Sequence, residues 1–60
     1  MNTEVRNTFL TLIRKNPEEI TPSERETLGT YVEGMVGLKN VYPLTTEDIQ
    51  AIAAYIIGKN

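Results

Sequence analysis

Proline, glycine and threonine cut this chain into three stretches, and each stretch carries apolar residues at helical spacing. Pro17 stops the first. Thr21, Pro22 and Glu24 open the second, with threonine at the N-cap, proline at the first helical position and glutamate at the third. That is a capping box with a proline inside it. Thr45 and Asp48 repeat the device for the third stretch, and Leu44 and Ile49 occupy the hydrophobic-staple positions around them. Gly37 and Gly58 stand where the second and third helices should end. The punctuation predicts an all-α, small three-helix domain over residues 1–60, with helices at about 3–15, 22–36 and 46–57.

The faces follow from spacing. In the first helix Val5, Phe9, Leu12 and Ile13 share one side, Asn2 or Thr3 can cap the start, and Arg14 and Lys15 suit the negative end of the dipole. Leu10 points about 100° away from that side. The second helix groups Leu28, Tyr31, Val32 and Met35, and the third groups Ile49, Ile52, Ala53 and Ile56. Between them "GLKNVYPL" reads as an extended connector, in which Pro43 biases Tyr42 away from helix.

Two features exceed what three helices need. Gly29 and Gly34 interrupt the second helix, and each costs an exposed helix interior about 1 kcal/mol relative to alanine. They are either tolerated on an exposed surface, or Gly29 lets another helix approach closely beside Val32 and Val36. The third helix carries no charge from Ile49 to Ile57. Ile57 lies on one shoulder of its apolar face and Tyr55 on the other, with Ala51 and Ala54 behind. A helix apolar nearly all round is normally buried on nearly all sides. Either the alanines and one isoleucine are harmlessly exposed, or the surplus meets another molecule. A chain of 60 residues without cysteine has no disulfide or thiolate metal site to supplement its core, which leaves oligomerisation. The expectation is a homodimer whose interface draws on Leu10, Gly29, Val36, Ile52, Tyr55, Ile56 and Ile57.

The chemistry of catalysis is thinly represented. There is no histidine, so the commonest general base and transition-metal ligand is missing. Glu18/Glu19 and Glu47/Asp48 lie where helices begin, so dipole and capping roles explain them without a metal. Ser23 has no base to activate it, and the glycines interrupt a helix where a phosphate loop would follow a strand. No cofactor and no enzymatic activity are expected. With a net charge of −2 and scattered basic residues, direct contact with nucleic acid is not expected either. The gap from Gly37 to Thr45 is too long for the turn of a helix-turn-helix, and Glu47 and Asp48 would lead its recognition helix. "MNTEVRNTF" does not read as a signal peptide, and no apolar run approaches the roughly 20 residues of a membrane span. A soluble, cytoplasmic protein is expected.

"LTTEDIQAIAAYI" is similar to the last helix of class I c-type cytochromes, but the haem-attachment Cys-x-x-Cys-His is absent and the likeness is that of a generic amphipathic helix. A second resemblance covers more of the chain. Glu26, Thr27, Leu28 and Gly29, followed by Val32 and then by Leu44, Thr45 and Ile49, resemble in layout the small enterobacterial regulators of the AriR (YmgB) and YcgZ type, whose fold resembles that of the Hha nucleoid modulator. The connector before Leu44 is longer here than in those proteins. The resemblance implies a non-enzymatic dimeric connector acting through other regulatory proteins. The resulting expectation is a protein–protein interaction module, a homodimeric regulator or adaptor with a protein partner. Its rivals are an accessory factor that reaches DNA through a partner, and a ligand-binding or phage-type inhibitory protein with its site at the oligomer interface.

Overall fold

A helix start leaves backbone donors bare, and each α-helix start among the described residues is met by a side chain placed to accept one. In the computed structural model, which describes residues 2–37, 39, 41 and 43–59 (Lys59 by its backbone alone), the Asn2 side chain accepts the Val5 amide at 2.9 Å. Helix α1 then runs Thr3–Arg14, one residue shorter than expected because Lys15 turns extended. A 3-10 turn over Pro17–Glu19, not foreseen from the sequence, leads to α2, Pro22–Val36. Both halves of its capping box form: Thr21 Oγ1 accepts the Glu24 amide at 3.1 Å, and the Glu24 carboxylate accepts the Thr21 amide at 2.9 Å. Gly37 ends α2 with a φ of 67°, a left-handed conformation that suits glycine. Helix α3 spans Thr46–Lys59, and Thr45 Oγ1 accepts the Asp48 amide at 3.1 Å. Gly58 lies inside α3 and does not stop it. The expectation for Tyr42 lies outside the described residues. Among the described residues there is no strand, and the three-helix, all-α architecture stands.

Long-range contacts fix how the helices run. Lys15 pairs with Glu24 at 3.1 Å, and farther along Phe9 stacks on Tyr31, so α1 and α2 are antiparallel. Gln50 near the start of α3 reaches the end of α1, while Arg6 near the start of α1 donates to the Ile57 carbonyl at 3.1 Å. Helix α3 is therefore antiparallel to α1. It begins where α2 begins, since Arg25 donates to the Leu44 carbonyl at 2.6 Å and to Thr46 Oγ1 at 3.2 Å. Residues 37–45 thus carry the chain from the end of α2 back to the end where α2 started. Helix α3 packs against both others, whereas α1 and α2 touch each other least.

The core is built on that central helix. Leu28, Val32, Val41, Ile49 and Ala53 are fully buried, joined by Phe9, Leu12, Ile56 and Ile57. Leu10, Ile13, Tyr31, Leu44 and Ile52 pack against them half-buried. Val41, a connector residue with no helical pattern to mark it, pins the return crossing. Two expected core residues are outside: Val5 is 43% exposed and Met35 is 52% exposed. The antiparallel register explains both. One turn beyond Phe9 on α1 and one turn beyond Tyr31 on α2, they lie opposite each other along the seam that α1 and α2 leave open.

Candidate interaction surface

The seven residues expected at an interface separate into three groups. Ile57 is only 1% exposed, and Ile56 and Gly29 are also buried within the chain. Leu10 and Ile52 are half-buried against the core, while Val36 and Tyr55 stand out at 49% and 65% exposure. The difference is a rotation of α3. Of the expected face Ile49, Ile52, Ala53 and Ile56, all but Ile52 are buried, and Ile57 is buried in its place while Ile52 is half-buried. The shoulder at Ile57 is therefore covered by the chain itself, and the shoulder at Tyr55 is not. Gly29 shares a stripe of α2 with Arg25 and Val32 and is buried within the chain. Gly34 is exposed, and a Cβ there would meet nothing within 4 Å.

What α3 shows to solvent is short of charge. Between Asp48 and Lys59 its exposed residues are Ala51, Tyr55 and Gly58, with Ala54 half-buried beside them. Among these described residues, one large aromatic projects from a surface of small side chains.

A second surface was not legible in the sequence. Beside the Phe9–Tyr31 contact lies an open groove of about 550 Å³, lined by Phe9, Ser23, Glu26, Thr27, Thr30 and Tyr31. Phe9 and Tyr31 stack with ring centroids 4.5 Å apart and planes inclined by 29°. The hydroxyls come from one stripe of α2, at i, i+4 and i+7. Glu26 is the only charged side chain in the lining. The Tyr31 hydroxyl is covered yet has no hydrogen-bond partner among the described residues. Such a group normally costs stability unless something compensates it. The hydroxyl spacing was visible in the sequence, but nothing there said that Phe9 and Tyr31 would close one side of a groove beside it.

The electrostatics at the neighbouring end of α2 are committed to structure. The Thr21 amide, then the Lys15 ammonium, hold the Glu24 carboxyl below the usual glutamate range. Among the described residues no group of three His, Cys, Asp or Glu side chains is placed to hold a metal ion, and no helix is long and apolar enough to cross a membrane. No family model, curated protein or solved structure matches this chain.

Proposed function

We propose that this chain is a non-enzymatic protein–protein interaction module, a cytoplasmic homodimer that serves as a regulator or adaptor through other regulatory proteins without contacting nucleic acid or membrane directly. The need for a partner does not come from an open core. The exposed surface, 4070 Å², is close to the roughly 4,000 Å² of a compact monomer of this mass. The observation that carries the reading is the stretch of α3 from Ile49 to Ile57, which carries no charge and exposes Tyr55. Aromatic side chains anchor interfaces when their neighbours are small enough to admit a partner. A two-fold contact would use the same face from both copies and count Tyr55 twice. The layout shared with the AriR and YcgZ-type regulators agrees with a dimeric connector of this kind.

Sedimentation equilibrium tests the dimer. The wild-type chain is expected at dimer mass by high micromolar concentration, and Tyr55→Glu at monomer mass with unchanged helical circular dichroism. A wild-type chain that stays folded at monomer mass throughout would remove the homodimer. Retention on DNA-cellulose at low salt would favour a nucleic-acid-associated factor instead.

A further inference from the structure

We propose that the α1/α2 groove docks a basic segment of a partner protein, seating an arginine side chain against the Phe9 and Tyr31 rings with its guanidinium paired to Glu26. This rests on the reading of the chain as an interaction module and names the chemistry of the partner. The argument starts from what lines the groove. Its charged chemistry is a single carboxylate, and that carboxylate has no side-chain partner among the described residues, unlike Glu24 two positions earlier, which is held by Lys15. An anionic occupant would meet Glu26 with nothing to offset it. A single carboxylate is also too few ligands for a divalent cation.

The rings and hydroxyls narrow the choice further. Phe9 and Tyr31 both line the groove and stack on each other, which gives it an aromatic side, and Arg is the cation most often found against aromatic rings. The remaining lining is Ser23, Thr27 and Thr30, oxygen acceptors that suit the five N–H donors of a guanidinium left over after a carboxylate is satisfied. One helical turn beyond Phe9 and Tyr31, Val5 and Met35 stand exposed, able to take an apolar residue from the same segment. The pattern fits a short amphipathic helix laid along the α1/α2 seam, apolar at one end and basic at the other. The groove does not overlap the outer side of α3, so docking and dimerisation are separate events.

The probe is a synthetic 15-residue helical peptide bearing leucine and arginine on one face, with a matched control carrying glutamate at the arginine positions. Titrated into ¹⁵N-labelled protein, the basic peptide should shift the amides of Glu26, Thr27, Thr30 and Tyr31, and the acidic control should not. Glu26 is exposed, so Glu26→Gln should fold normally and weaken the basic peptide by about two- to fivefold. Glu26→Lys should reverse the preference and admit the acidic control. Equal binding of both peptides, shifts confined to α3, indifference to Glu26→Gln, or no binding at all would each overturn the proposal. None of these results bears on the dimer, which sedimentation reads independently.

Discussion

Gln50 belongs to α3, yet its side-chain amide closes the end of α1: Nε2 donates to the Leu12 carbonyl at 2.9 Å and to the Lys15 carbonyl at 2.8 Å. A helix end leaves carbonyls without intrahelical donors, and glycine in a left-handed turn commonly supplies the remedy. Helix α1 has no such glycine, because Lys15 follows in extended conformation. A buried glutamine from 38 positions later in the chain takes over the role. The polar residue that breaks the apolar pattern of α3 is thus a structural fastener.

Removing that fastener should be costly. Gln50→Leu keeps the bulk but strips both carbonyls of this donor, and is expected to lose about 1–3 kcal/mol in urea denaturation. Since a small domain has only several kcal/mol to spare, the variant should melt visibly earlier. Unchanged stability would mean that the two carbonyls find other donors.

The Lys15–Glu24–Thr21 arrangement predicts an acid limb. The folded-state pKa of Glu24 is lowered, so its contribution is fully present above the ordinary value of 4.5 and is lost as pH falls through the depressed one. Stability of the wild-type chain should therefore drop below about pH 4.5, and Glu24→Gln should flatten that part of the curve. Thermal melts at several pH values compare the two slopes directly.

The two glycines of α2 should respond with opposite signs. Gly34→Ala adds a methyl group to open space on a helical position and is expected to stabilise by about 0.4–1 kcal/mol. Gly29→Ala adds it on the buried side, where overpacking should outweigh the helix-propensity gain and cost about 1–3 kcal/mol. Equal stabilisation by both would show that α2 has room at Gly29.

Tyr31→Phe isolates the orphaned hydroxyl. The ring and its stack on Phe9 remain, while a covered oxygen without a partner is removed, so a gain of about 1 kcal/mol is expected. A loss of stability in calorimetry would mean that the hydroxyl is satisfied in solution.

The local part of this fold was readable because its signals are local. A threonine, a proline and a glutamate within four positions are enough to start α2, and the structure forms both hydrogen bonds of that box. Val41, Gln50 and Ile57 were not readable because their surroundings are supplied from elsewhere in the chain. Val41 is buried by the return crossing, Gln50 by the end of α1, and Ile57 by a rotation of α3 that periodicity does not fix. The groove likewise depends on residues of α1 and α2 brought together by the fold. The exposed Tyr55, by contrast, sits where its helical position placed it, off the apolar face.

The return crossing over residues 37–45 has a kinetic meaning. An ordinary helical hairpin gains most of its contacts as soon as its turn closes, but α1 and α2 touch each other least and have little to hold them before α3 arrives. The hydrogen bonds that lock the molecule join residues 38 and 51 positions apart. Chain closure over such distances must come before its reward, so the early hairpin is a fleeting species and folding should look all-or-none. For the same reason, strain introduced in the connector at Val41 should slow folding without weakening any single helix.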